Sequence, residues 1–430
     1  MVESINELQQ IIGGVIAYLP ESREIYVQNK ERVWADDIID RLVEMALFTS
    51  SEQVRIAARR IVIETARQVG IEPDPAEISG ESSIDKSGWV IPVFHLPGVT
   101  YDAARAVLHA AEQTLNAEIP LGFAVSDGAE QRGQTSMDYA IEVIGAMVKE
   151  MGGERSGRPV RLILQGVPLN PDQYEDDPAE TVAGLADRVE ELAGWGFNTF
   201  RFDMTPFLNN GDGDTAGRGG KAWIQLRNTL HNRGITGDLG IEFRGNALPN
   251  PDLLTSLLKE LDSEVTKVRS DENPDIQSFY PDTIQLSLET LSSAYTDSRE
   301  TSSDLLTDLQ RLTSTLQEAK HSIGFAFSPA ELIDEGDYTD LLRRGILELH
   351  FGNSLLLQMV NHQKFPKEIR DALGSANGQT GRNTTLKPVC QQLTAPEIHR
   401  ELWRMKRQKN QTLYTDFLRD VLVLLKSLNE

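Results

Sequence analysis

Eight short apolar runs, separated by longer stretches of helical periodicity, constrain this chain more than any other feature. The runs occupy residues 89–95, 121–126, 160–165, 197–204, 239–244, 283–288, 323–328 and 346–351. Their starts lie 23 to 44 residues apart, the length of a strand, a loop, a helix and a second loop. Stretches 103–115, 136–151, 179–195, 222–233, 251–261 and 304–320 carry an apolar stripe at helical spacing. Alternating strand and helix implies a parallel sheet. Eight such units within residues 89–373 match an α/β fold, a closed parallel (β/α)8 TIM barrel. An open doubly wound sheet is the alternative. Its nucleotide-binding form is disfavoured, because no Gly-x-Gly-x-x-Gly follows the first run.

Helical segments flank the barrel. Residues 1–70 read as helices, with Ile5, Leu8, Ile11 and Ile12, then Ile38, Ile39, Leu42 and Met45, then Val54, Ala57, Ala58 and Ile61 at helical spacing. Ser50-Ser51 before Glu52 reads as an N-cap. Residues 71–88 are polar and rich in Pro and Gly, and read as a linker that ends an N-terminal segment 1–88. Residues 374–385 read as a flexible loop, and 395–407 and 412–428 as two terminal helices. The basic stretch Arg404-Met-Lys-Arg-Gln-Lys reads as a solvated helix face.

The chain carries 42 basic and 65 acidic residues, a formal net charge of −23. That balance argues against nucleic acid and anionic membrane surfaces as partners, while leaving room for a local basic pocket that takes a small anionic substrate. One cysteine, Cys390, allows neither an intramolecular disulfide nor a cysteine zinc cluster, which fits a reducing compartment. With no secretory signal and no run of 18 apolar residues, the expected location is cytoplasmic.

Strand parity then sorts the side chains. Alternate residues of a barrel strand face the surrounding helices or the lumen. Phe200, Phe202 and Met204 take the helix side of the fourth run, which turns Thr199, Arg201 and Asp203 inward. The same count turns Arg161, Gln165, Glu242, Arg244, Gln285, Ser287, Glu289, Glu348 and His350 inward, and His95 at the end of the first run. Lumens of such barrels ordinarily hold branched aliphatics. Buried charges must pair or serve a ligand. The expected pairs are Arg201–Glu242 and Asp203–Arg244 across neighbouring strands. They form either a self-neutralising lattice or part of a site, since these residues stand where barrel active sites are built.

Asp203, Glu242, His350 and His95, with Asp127 nearby, are the metal-ligand types at strand ends and suit a divalent ion such as zinc. Gly352, Asn353 and Ser354 after the eighth run offer backbone N–H groups to an anion at a helix N-terminus, or form an ordinary helix cap. Residues 209–221 form a long polar, glycine-rich loop that reads as a mobile lid, or as plain surface loop, with Arg218 and Lys221 reaching an anion. This loop matches neither a nucleotide phosphate loop nor a calcium loop, since Thr215 and Lys221 stand where the latter needs Gly and Glu.

Several stretches resemble strands of the class II, metal-dependent sugar-phosphate aldolases, nearest to the tagatose-bisphosphate aldolase group. They are Val90-Ile-Pro-Val-Phe, Phe197-Asn-Thr-Phe-Arg-Phe-Asp, Gly240-Ile-Glu and Tyr338-Thr-Asp-Leu-Leu-Arg-Arg-Gly. The resemblance covers residues 89–373 in order and spacing. It departs where the family carries Asp-His after its third strand and further metal histidines after the fourth and seventh. Here those places read Gln165-Gly166, Thr205-Pro206 and Ser328-Pro329.

The resemblance implies an aldolase-type carbon–carbon lyase acting on a phosphorylated or otherwise anionic sugar-type substrate. Asp203, Glu242, His350 and Gln165 are then its expected catalytic residues. Arg201, Arg244, Ser328, Lys221 and the 352–354 turn are its expected substrate contacts. The missing histidines imply the alternative, a non-catalytic barrel that stabilises a partner aldolase subunit or a homo-oligomer. A Schiff-base lysine mechanism is disfavoured, because no run ends in Lys.

Overall fold

The computed structural model describes residues 2, 4–73, 90–127, 133–152, 157–208, 213–235, 237–245, 248–269, 279–288, 300–318, 323–328, 330, 341, 345–352, 355–356, 365, 367, 370, 393–408 and 411–428. In chain order the helices are α1 (Ile5–Ile12), α2 (Lys30–Ala35), α3 (Ile38–Phe48), α4 (Glu52–Val69), α5 (Thr100–Thr114), α6 (Ser136–Met151), α7 (Pro171–Asp176) and α8 (Pro178–Gly194). They continue with α9 (Thr205–Leu208), α10 (Gly213–Asn232), α11 (Pro251–Arg269), α12 (Glu300–Glu318), α13 (Pro396–Gln408) and α14 (Gln411–Ser427). The strands are β1 (Ile16–Leu19), β2 (Glu24–Val27), β3 (Ile91–Phe94), β4 (Leu121–Ser126), β5 (Val160–Pro168), β6 (Thr199–Asp203), β7 (Asp238–Gly245), β8 (Thr283–Leu288), β9 (Gly324–Ser328) and β10 (Ile346–Phe351).

Strands β3 to β10 close into one barrel in sequence order, with β10 returning to β3. The (β/α)8 architecture is therefore the observed one, and each of the eight apolar runs supplies a strand. The open-sheet alternative fails because the last strand pairs with the first, Glu348 with Ile91 and His350 with Val93.

Two compact units are distinguished. The first comprises Met1–Asp74, His95–Leu162 and Gly352–Glu430. Ser51 caps α4 as its sequence suggested, its hydroxyl accepting from the Val54 N–H. One expectation fails here. Residues 16–27 form an antiparallel hairpin, not helix. Its two strands have only four residues each, too short to show a period of two. The hairpin is held by the Gln68 side chain of α4, which accepts from Val27 N–H at 2.8 Å and donates to the Ile25 carbonyl at 2.6 Å.

The second unit comprises Pro75–Phe94 and Ile163–Phe351. Its strands face their helices with the aromatic and aliphatic side chains that parity assigned there. Phe202 is fully buried and meets Trp223 of α10 edge to face, with ring centroids 6.0 Å apart. The Trp223 ring N–H donates to the Phe279 carbonyl at 2.8 Å, so the indole is both packed and satisfied.

The lid expectation is corrected. Helix α10 begins at Gly213, nine residues before the expected start, and Lys221 is an exposed residue within it. Five glycines between 211 and 220 masked the helix in the sequence, because glycine is a poor helix former. Packing explains two of them: Gly219 lies on Phe207 and Met204, and Gly220 on Glu260. Residues 209–212 lie outside the described residues, as do most of the 71–88 linker and all of 374–385.

Phe202→Ala is expected to lower the unfolding free energy by about 3–5 kcal/mol, the usual cost of truncating a buried phenylalanine. Chemical denaturation reads this as a lower midpoint. An unchanged midpoint would place Phe202 away from the helix layer.

Candidate functional site

The register between β6 and β7 sets the lumen. Arg201 pairs with Gly240, and Asp203 with Glu242. The expected pairs Arg201–Glu242 and Asp203–Arg244 assumed a register two residues away, and they do not form. A slip of two preserves the face each side chain takes, so the inward assignments survive. Arg201 instead reaches Asp238, with Nη1 at 2.6 Å from Oδ1 and Nη2 at 3.0 Å from Oδ2, and it reaches Glu348 of β10 at 3.2 Å. Gly240 makes room: a Cβ there would stand 2.9 Å from Arg201 Cδ and 2.5 Å from the Thr283 carbonyl oxygen.

Arg201 and Glu348 side chains are fully buried, and Asp238 nearly so. Burial by itself would lower the proton affinity of the guanidinium. The charges of Asp238 and Glu348 more than offset it and hold the group above its ordinary range.

Above this triad runs a hydrogen-bond chain with a fixed direction. The Gln165 amide donates to His350 Nδ1 at 2.8 Å and to Gln285 Oε1 at 3.1 Å. An amide nitrogen only donates, so Nδ1 is the acceptor of this contact and the ring turns Nε2 the other way. That nitrogen faces Glu348 Oε2 at 3.4 Å. The Gln285 amide donates to Ser287 Oγ at 2.9 Å and to Glu242 Oε1 at 3.3 Å, and Ser287 donates to the same oxygen at 2.6 Å. Arg244 completes the set, with Nε 2.9 Å from Glu242 Oε1 and Nη2 donating to Oε2 at 3.1 Å. Gln165, Glu242 and His350 are thus brought together, and Gln285 and Ser287 join them.

Asp203, Arg244 and Ser287 stand half-buried at the ends of their strands. Ser328 is half-buried too, paired in register with Ser287. Asp203 accepts from the Thr205 backbone N–H at 2.9 Å. Its carboxyl is pushed above the usual range, first by burial. The Thr205 hydrogen bonds oppose this, and the negative charge of Glu242 adds to it.

The expected metal set is corrected. Among the described residues no group of three His, Cys, Asp or Glu is disposed to hold a metal ion. The physical reason lies in the chain above. Both His350 ring nitrogens face Gln165 and Glu348, and both Glu242 oxygens lie against Arg244. His95 lies in the first unit just beyond β3, with Gly352 packed on its backbone. A Cβ at Gly352 would stand 2.7 Å from the His95 carbonyl oxygen, so this buried glycine serves close packing. Asn353, Ser354 and Glu289 lie outside the described residues.

Parity alone would have found Asp238, which stands an even number of residues before Glu242, had the fifth run been read one residue earlier. Nothing local marks Thr205 or Gly166, whose roles rest on contacts made across the sheet.

No family model matches the sequence, and no curated protein matches it. Solved structures similar in fold include the YdjI aldolase of Escherichia coli K12. It is 14% identical, with 76% of this chain and 93% of that chain covered and a TM-score of 0.40. The fructose-bisphosphate aldolase of Campylobacter jejuni is 12% identical, with coverage of 80% and 91% and a TM-score of 0.42. The fructuronate-tagaturonate epimerase UxaE of Cohnella laeviribosi is 9% identical, with coverage of 86% and 84% and a TM-score of 0.46.

Two outcomes follow from the geometry. Arg201→Met removes a cation that both buried Asp238 and Glu348 contact and is expected to cost about 3–5 kcal/mol of stability. Adding Asp238→Asn and Glu348→Gln should recover part of that loss, and failure to recover would show that Arg201 acts by packing alone. For Asp203 the folded state holds its proton more tightly than the unfolded chain does. Ionisation therefore removes stability as pH rises from the ordinary value of 3.8 through the raised one. Melting temperatures of Asp203→Asn relative to the parent should rise across that window. A flat or falling difference would contradict the assignment.

Proposed function

We propose that the strand C-termini bind an anionic, sugar-type small molecule and catalyse proton transfer on it, in the manner of aldol-type carbon–carbon cleavage. The observation that carries this reading is the juxtaposition of Asp203 and Glu242. They are register partners on adjacent strands, and one is held by Arg244, Ser287 and Gln285 while the other has its proton affinity raised. Neighbouring carboxylates driven into different environments are the usual signature of an acid–base assignment.

In this reading Asp203 takes the proton of the substrate hydroxyl as the adjacent carbon–carbon bond breaks. The bonding pair passes to the neighbouring carbonyl, whose oxygen becomes an enediolate, and Asp203 returns the proton to the carbanion carbon. Arg244 holds the anionic group of the substrate beside the reacting carbons. Glu242 orients Arg244 rather than exchanging protons itself. A divalent metal is not given a role, because the described residues at the strand ends do not fit one. The resemblance in strand order to the class II aldolases agrees with the reaction class but not with their metal chemistry.

The second reading is a non-catalytic barrel that supports a partner aldolase. It is favoured by one observation, the buried Arg201–Asp238–Glu348 cluster, in which the lumen's own carboxylates already engage the guanidinium.

The two are separated by incubating the protein with ketose phosphates and sugar acids and following cleavage by NMR. Turnover is expected in the parent chain. A fall of at least about a hundredfold is expected in Asp203→Asn, the scale of a lost general acid or base. Glu242→Gln should be impaired mainly in KM, through Arg244. No turnover on any substrate of these classes, with an aldolase chain co-purifying, would leave the supporting role.

A further inference from the structure

The pairing of β5 with β6 is interrupted at one place. Leu164 pairs with Phe200 and Val167 with Phe202, so Gln165 and Gly166 together face the single residue Arg201. This is a β-bulge, a device that recurs beside active sites because it re-aims the chain. Gly166 takes φ +65°, a left-handed conformation that costs glycine little and other residues more.

The missing side chain matters as much as the backbone. A Cβ on residue 166 would overlap Cζ, Nη1 and Nη2 of Arg244, which crosses the mouth from β7. The guanidinium therefore lies flat against the bulge. It is also paired with Glu242, by an Nη2 hydrogen bond at 3.1 Å and an Nε–Oε1 ion-pair contact at 2.9 Å, and its backbone N–H donates to the Thr205 hydroxyl at 2.7 Å. A guanidinium laid against the bulge and paired with a buried carboxylate, on a backbone tied to Thr205, is restrained before any ligand arrives. One fifth of its side chain stays exposed at the strand ends, whereas Glu242 beneath it is 1% exposed.

We infer that Arg244 is a preorganised receptor for a compact oxyanion, a phosphate or carboxylate group, and that Gly166 is the residue that positions it. This rests on the reading that the mouth binds an anionic small molecule, and it names the group recognised there. Guanidinium geometry matches both oxyanions, and preorganisation reduces the entropy lost on binding. The site's fixed cation is then a side chain, in a place where the described residues do not fit a divalent ion.

The test is calorimetric titration of inorganic phosphate, and separately of malonate, into the full chain in the presence of a chelator. The parent is expected to bind at least one of them at a single site. Arg244→Met should weaken that binding about 10- to 100-fold, the range for one lost charge-assisted contact. Arg244→Lys, which keeps the charge without the fork, should fall between. Gly166→Ala should weaken binding at an unchanged charge, a readout that a merely structural glycine would not move if the melting temperature is kept. Should Gly166→Ala fail to fold, the two Arg244 variants decide, because both leave the bulge intact.

Phosphate preferred over malonate assigns a phosphoryl group, and the reverse a carboxylate. No binding in the parent, equal binding in Arg244→Met, or full binding in a folded Gly166→Ala would overturn the inference. Oxyanion binding without carbon–carbon cleavage would sink the proposed reaction and leave the receptor standing. Cleavage with an anion affinity indifferent to Arg244 would do the opposite.

Discussion

A guanidinium with no access to water sits in the lumen of this barrel, and much of the surrounding arrangement follows from keeping it charged. Arg201 is held by Asp238 below it on the next strand and by Glu348 from β10. Desolvating three such groups carries a large penalty, which only close and well-directed contacts repay. The contacts here are of that kind, bidentate to Asp238 and shared between both oxygens of Glu348. Satisfying Arg201 in turn demands Gly240, because any side chain there would collide with its stem.

The layer above follows from the same demand for satisfied polar groups. Glu348 faces His350, His350 accepts from Gln165, Gln165 donates to Gln285, and Gln285 and Ser287 donate toward Glu242. Each amide and hydroxyl in that series has one orientation that serves both neighbours. Two buried carboxylates thus terminate one continuous chain, Glu348 at one end and Glu242 at the other. Such networks are costly when incomplete and rigid when complete. The rigidity extends to Arg244, which rests on the far end of the chain. Asp203 stands outside it, held by Thr205 alone among the described contacts, and it is the carboxyl whose proton affinity burial raises. The proposed binding and proton-transfer roles rest on this pairing of a held cation with a carboxyl of raised proton affinity.

Much of this was legible in the residues themselves. The eight runs, their spacing and the helical stripes between them sufficed for the barrel, because apolar burial in a (β/α)8 fold imposes a period of two on strands and near four on helices. The same parity told which side chains turn inward, since every choice was forced by an aromatic or aliphatic neighbour such as Phe202 or Leu286. The hairpin at 16–27 was not legible, being too short to carry a period. The early start of α10 was hidden by glycines whose purpose is close packing on Phe207 and Glu260.

What the sequence by itself determined is therefore the set of polar groups enclosed by the barrel: Arg201, Gln165, Glu242, Gln285, Glu348 and His350. Which of them touch was decided only by the tertiary structure. Pairing depends on register, and a shift of two residues leaves the facing pattern unchanged while exchanging every partner. Arg201 meets Asp238 rather than Glu242 for that reason alone. The bulge at Gly166 is likewise invisible in one strand read singly. It is defined by the residue opposite it, and its purpose by a guanidinium that arrives from β7, two strands away.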